Sequence, residues 1–200
     1  MELLQATGQA EWLEWAIDVQ RRQDDLFWDP AEGGWFSTTG EDPTVLLRLK
    51  EDYDGAEPAA SSIATLNALT LAHLTGDDSY GEKAGRTLGR YGKRAGAAAR
   101  VIPMMLCALS QWHAPSMQIV IVGGRTADPV IELEREIAAH YRPFAVHVPV
   151  DPDRNQDALK GILPFIDGMK AHGGGAVYVC RDYTCHQPVS SVDALRSELA

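Results

Sequence analysis

Between Gly8 and Phe27, Trp12, Trp15, Ala16 and Val19 recur at three- and four-residue spacings, with Glu11, Glu14, Asp18 and Arg22 between them. This alternation predicts an amphipathic helix. Trp28-Asp29-Pro30 and the pair Gly33-Gly34 stop it, and the aromatic and β-branched residues that follow predict a loop or short hairpin running to about Tyr53. From Pro58 to Leu74 the pattern is helical again, but Ile63, Ala64, Leu66, Ala68, Leu69, Leu71 and Leu74 cover most of the circumference, as in a helix buried all round. Thr75-Gly76-Asp77-Asp78 ends that helix and caps the next, where Tyr80, Ala84, Leu88 and Tyr91 form a stripe opposite Lys83, Arg86, Arg90 and Arg94. Pro103 suits the first turn of a further helix to about Trp112.

The pattern then changes. Gln118 to Val122 is a short β-branched run ending in Gly123-Gly124, which predicts a strand covered on both faces. Val130, Leu133, Ile137 and Tyr141 make an amphipathic helix, Phe144 to Val148 and Ala176 to Val179 two more strands, and Val192 to Leu199 a last helix. The boundary is expected near residues 112 to 117, which separates a helical lobe (1–115) from an α/β tail (116–200) with a three- or four-stranded, mostly parallel sheet.

Composition narrows the partners. With 200 residues, 45% hydrophobic content and a formal charge of −10, the chain reads as an ordered globular protein without the basic face that nucleic-acid binding needs. The sequence holds no apolar run of membrane-spanning length and no basic signal-peptide start, and three cysteines make no disulfide framework; the expectation is a cytoplasmic protein. Cys180 and Cys185 are read as reduced thiols beside a strand, ahead of a regulatory disulfide or a metal knuckle, and Cys107 as core. No metal or cofactor is expected. Gly123-Gly124-Arg125 after a strand is read as a tight turn ahead of a phosphate site, since the third glycine of the dinucleotide fingerprint is missing. The six histidines fall in no paired arrangement, and the basic stripe from Lys83 to Arg94 is read as a solvated outer face.

The chemistry-bearing stretch is Lys50-Glu51-Asp52-Tyr53-Asp54-Gly55-Ala56-Glu57-Pro58, with four carboxylates in nine residues. Two readings stand beside each other. In one, water, cations or a polar ligand meets the cluster, which makes it the first place to look for chemistry. Alternatively, Asp54 or Glu57 tempers the positive end of the helix that follows Pro58, while Lys50 and Arg48 pair with neighbours.

Taken together, Phe27-Trp28-Asp29, Gly33-Gly34-Trp35-Phe36, Arg48-Leu49-Lys50, Asp54-Gly55-Ala56-Glu57-Pro58, Leu74-Thr75-Gly76-Asp77 and the tail Tyr178-Val179-Cys180 with Cys185 and Pro188-Val189 resemble the spermatogenesis-associated, YyaL-like thioredoxin-domain proteins along nearly the whole chain. That resemblance implies the C-terminal part of a longer protein: the last helices of a six-hairpin α/α barrel like those of glycosidases and epimerases, then an α/β tail, without the thioredoxin-like domain. It implies a carbohydrate-like ligand at residues 29–57, with Asp54, Glu57 and Asp52 as acid, base or hydroxyl acceptors and Asp29, Trp35, Arg48 and Lys50 completing the site, or a scaffold that supports the thioredoxin-like domain. A fragment of a barrel would also be expected to associate with the missing upstream segment or with itself. Where the family continues its charged motif with Pro-Ser-Gly-Asn-Ser, this chain has Pro58-Ala59-Ala60-Ser61-Ser62 and lacks the Asn amide.

Overall fold

A computed structural model describes residues 1–199. The described residues form α-helices and one four-stranded mixed sheet, an α plus α/β class, gathered in two compact units.

The first unit is helical and contains residues 17–72 and 76–114. It holds most of α2 (Ala10–Phe27) and of α3 (Ala60–Thr75), together with α4 (Asp78–Ala98) and α5 (Pro103–His113). The capping residues stand where the sequence places them. Gly76 closes α3 in the left-handed conformation at φ 71°, and the Asp77 side chain accepts from Ser79 N–H to start α4. Pro103 occupies the first turn of α5, where its missing N–H costs nothing. Ala64, Ala68 and Leu69 of α3, Ala84, Leu88 and Tyr91 of α4, and Met105 and Ala108 of α5 enclose one core with Trp35 and Ile102. Small residues on α3 let the neighbouring helices approach closely. Of the α3 residues only Ala60 and Ile63 are exposed, which matches a helix apolar around most of its circumference.

The second unit contains residues 1–16, 73–75 and the chain from Pro115 onward. Its sheet has the order β2-β1-β3-β4, with β1 (Met117–Val122) parallel to β2 (Ala145–Val150) and antiparallel to β3 (Ala176–Arg181), which pairs with the short β4 (Thr184–Cys185). The sheet is therefore mixed, where the pattern suggested mostly parallel strands. The β1–α6–β2 crossover, through α6 (Asp128–Ala138), supplies the one parallel pair; β3 enters after the turn at Gly173 and Gly174, whose φ values of 60° and 93° reverse the chain. Val130, Leu133 and Ile137 of α6, with Leu195 and Leu199 of α8 (Val192–Leu199), cover the face formed by Ile119, Ile121, Val177 and Val179.

Three elements were not visible in the pattern. Helix α1 (Glu2–Thr7) packs in this unit and not in the helical lobe: Gln5 Oε1 accepts from His147 N–H at 2.9 Å, and Asn155 Nδ2 donates to the Gly8 carbonyl at 2.7 Å. Helix α7 (Gln156–Lys160) is a single short turn. The β3–β4 hairpin turns on Asp182 and Tyr183, both at positive φ (47° and 61°), the geometry of a tight two-residue loop. Cys180 and Cys185 lie opposite each other across this hairpin and are joined as a disulfide, so the reduced-thiol reading is corrected. The register that makes β3 and β4 neighbours is what brings the two sulfurs together. Cys107 is also corrected: it is exposed on α5, because Met105 and Ala108 take the core-facing positions. No helix among the described residues is long and apolar enough to cross a membrane.

Candidate functional site

The loop joining α2 to α3 carries every residue singled out for chemistry. It has almost no regular structure; a single antiparallel bridge, Trp28 to Trp35, pinches its start. Inside the pinch, Gly33 and Gly34 adopt φ values of 77° and 79°. A Cβ on Gly33 would lie 3.1 Å from the Arg86 Cβ at a φ that other residues rarely adopt, so the turn favours glycine.

Asp29 organises this turn. Its Oδ1 accepts from Ala31 and Glu32 N–H, and its Oδ2 takes Lys50 Nζ at 2.5 Å. Lys50 also donates to the Gly33 carbonyl, and only 3% of its side chain is exposed. The hydrogen bond from Lys50 holds the Asp29 carboxyl down at a pKa of about 2, with the two turn N–H groups adding to the effect and burial opposing it. A buried ammonium satisfied by a carboxylate and a carbonyl is committed to the fold.

Trp35 lies in the core of the helical unit. It is 1% exposed, its ring lies 4.9 Å from that of Trp28, and its Nε1 donates to Asp24. Its main chain is tied to Ser61 of α3 in both directions. Arg48 likewise faces inward to its own loop, donating to the carbonyls of Thr38 and Leu26 with its guanidinium 4.1 Å from the Phe36 ring centre.

Asp54 joins two helix starts. One carboxylate oxygen accepts from Ala59 N–H at the head of α3 (2.8 Å); the other accepts from Met104 N–H (2.8 Å) and Met105 N–H (3.3 Å) in the first turn of α5. Each helix start presents unsatisfied N–H groups and a partial positive charge, and one anion serves both. Asp54 is thus an acceptor with three donors already in place. Asp52 pairs loosely with Arg94 at 3.5 Å, and the Glu57 side chain is exposed with no partner among the described residues. Between them, Leu49 to Tyr53 and Gly55 to Glu57 border an open depression of about 490 Å³.

Sequence reasoning missed the receiving surface. The basic stripe of α4 is a ladder against the end of α2 and the loop: Lys83 meets Asp24 of α2 at 2.5 Å, Arg86 donates to the carbonyls of Pro30 and Ala31, Arg90 meets Glu32 at 2.5 Å, and Arg94 reaches Asp52. Tyr91, between them, donates to the Glu51 carbonyl. The one available signal was the abundance of carboxylates along the loop, which the net acidity of the chain obscured. Among the described residues, no three His, Cys, Asp or Glu side chains converge as a metal site requires.

With this geometry in view, comparison with known proteins is informative. The chain is 34% identical over 201 residues to a human protein, and 33% to its mouse counterpart, with all of the chain aligned. The chain is similar to spermatogenesis-associated protein 20. It spans 25% of the length of those proteins. An uncharacterised protein of Caenorhabditis elegans is 31% identical over 196 residues. No family model matches the chain. The match to spermatogenesis-associated protein 20 runs through the α2–α3 loop as well as the sheet.

Proposed function

We propose that this chain is the C-terminal portion of a longer thioredoxin-domain-containing protein, and that it serves there as a non-catalytic scaffold or binding module. The observation that carries this reading is the engagement of Asp54. A general acid or base must exchange a proton with substrate, whereas this carboxylate accepts three backbone N–H bonds that start two helices. Asp29, Lys50, Arg48 and Trp35 are occupied in the same way, so the loop is built as a clamp. On this reading α2 to α5 are the last helices of a six-hairpin α/α barrel, the upstream barrel segment is the partner, and the setting is cytoplasmic.

A second reading has its own support. Asp52, Tyr53 and Glu57 are exposed on the open depression, and carboxylates beside an aromatic ring suit the hydroxyls and apolar faces of a carbohydrate-like ligand. The reaction would be isomerisation, epimerisation or hydrolysis. Calorimetric titration with mono- and disaccharides, on the chain alone and mixed with the upstream segment of a longer relative, separates the two. Association of the segments without sugar binding supports the scaffold. Saturable sugar binding that Asp52→Ala with Glu57→Ala abolishes would replace it with the carbohydrate site.

A further inference from the structure

A second cavity lies wholly within the sheet unit and is independent of the loop. It occupies about 210 Å³ over the parallel pair β1–β2, between α1 and α6. In the β1–β2 register Ile119 lies beside His147 and Ile121 beside Pro149, so these four side chains share one face of the sheet and form the floor. Ile137 of α6 adds an apolar wall. Arg125 stands in the segment that leaves the carboxyl end of β1, the place where α/β crossovers commonly receive ligands.

Three polar side chains meet over this floor, and each keeps hydrogen-bonding capacity unspent. Arg125 is anchored by one bond, Nη1 to the Ala6 carbonyl at 2.8 Å, and its other N–H groups have no hydrogen bond among the described residues. Glu134 of α6 stands 4.0 Å from Arg125 Nη2, beyond hydrogen-bonding reach, and accepts no bond among the described residues. The His147 backbone is held by Gln5, yet its half-buried ring has no partner among the described residues. Burial, then the nearby Arg142, keep that imidazole's pKa below its ordinary value, so the ring is neutral at pH 7 and can donate or accept. The side chains of Arg125 and Glu134 are 37% and 34% exposed, which leaves the mouth open.

We propose that this cavity binds a small apolar α-amino acid. The carboxylate is received by the free donors of Arg125, the ammonium by Glu134, and the side chain lies on Ile119, Ile121 and Ile137. The loose Arg125–Glu134 ion pair, 4.0 Å apart, matches the close spacing of the two charges of a zwitterion, which meets both partners at once, whereas a simple anion or cation would meet only one. The volume sets the upper size, since drug-sized ligands occupy pockets of roughly 300–1,000 Å³. His147 supplies a third polar contact that fixes orientation.

The test is isothermal calorimetry of the full chain with L-leucine, 4-methylpentanoate (carboxylate only), 3-methylbutylamine (ammonium only) and N-acetyl-leucinamide (uncharged). Leucine is expected to bind, with each single-charge analogue weaker by about tenfold or more, the equivalent of one lost charge-assisted contact. Arg125→Gln and Glu134→Gln are each expected to weaken leucine to a similar extent; both sites are partly exposed, and circular dichroism checks that each variant folds. The proposal is overturned if leucine gives no heat up to about 10 mM, or if 4-methylpentanoate binds as tightly as leucine. It is also overturned if Glu134→Gln binds leucine unchanged, and this last arm stands even if Arg125→Gln fails to fold.

Discussion

Replacing Asp54 by Ala should destabilise the helical unit at two of its helix starts. The substitution removes the acceptor of Ala59 N–H at the head of α3 and of Met104 and Met105 N–H in α5. Losing one N-terminal cap costs about 1 kcal/mol, and hydrogen bonds to a charged group are worth roughly 1.5–3 kcal/mol. Two helix starts served by one carboxylate therefore put the loss at about 2–4 kcal/mol, which for a chain of this size lowers the melting temperature by roughly 5–15 °C. Asp54→Asn offers one oxygen and one NH₂ group, so one helix keeps its acceptor while the other faces a donor; at least half of the loss is expected. Glu57→Ala is the matched control, since that carboxylate is exposed and unpartnered, and it should stay within about 0.5 kcal/mol of the parent. Urea denaturation of the three variants, with amide exchange read at Ala59, Met104 and Met105, measures the effect where it arises. A parent-like stability for Asp54→Ala, together with loss of a ligand or activity, would refute the structural assignment and return Asp54 to the chemistry.

Other consequences follow from the same geometry. Lys50→Ala leaves Asp29 without its partner in a buried turn and should cost on the order of 3 kcal/mol by thermal denaturation. The depressed pKa of Asp29 stabilises the fold above the ordinary carboxylate range and loses that contribution as pH falls from about 4 through about 2; an Asp29→Asn variant should lack this part of the acid transition in a pH titration of fluorescence. Trp35→Ala empties a core position and should cost roughly 3–5 kcal/mol, while Trp35→Phe retains most of the packing but loses the bond to Asp24. Mass spectrometry after alkylation should show one modified cysteine, Cys107, without reductant and three with it; reduction should lower stability by about 2 kcal/mol, the loop-closure value for so short a ring.

The scaffold was legible wherever burial and periodicity agree. Val130, Leu133 and Ile137 at helical spacing, the β-branched run of β1, and the Gly76–Asp77 junction each carry a local signal that survives folding unchanged. Helix α1 is too short for a period to register, and the direction of β3 depends on the turn at Gly173–Gly174, which periodicity does not report. In the loop the candidate residues were legible but their partners were not. A carboxylate cluster looks the same in sequence whether it faces a ligand or a helix start, and the arrival of Met104 and Met105 N–H at Asp54, about fifty residues along the chain, is a contact that no local pattern reports. The α4 stripe shows the same limit: Lys83, Arg86, Arg90 and Arg94 carry the spacing of a solvated face, and while Lys83 meets Asp24 of α2, the partners of the other three lie on a loop without any spacing at all.

That ladder also gives the loop a direction of release. Exposure of the cations rises along α4, from 27% for Lys83 through 36% for Arg90 to 43% for Arg94, and their partners Asp24, Glu32 and Asp52 are 11%, 66% and 54% exposed. Mobile ions reach exposed pairs and are kept from buried ones. Added salt should therefore weaken the Arg94–Asp52 and Arg90–Glu32 pairs well before Lys83–Asp24 and the buried Asp29–Lys50 pair, so that ionic strength sets how firmly the segment is held between its Asp29 and Asp54 anchors while the helices beneath it stay folded.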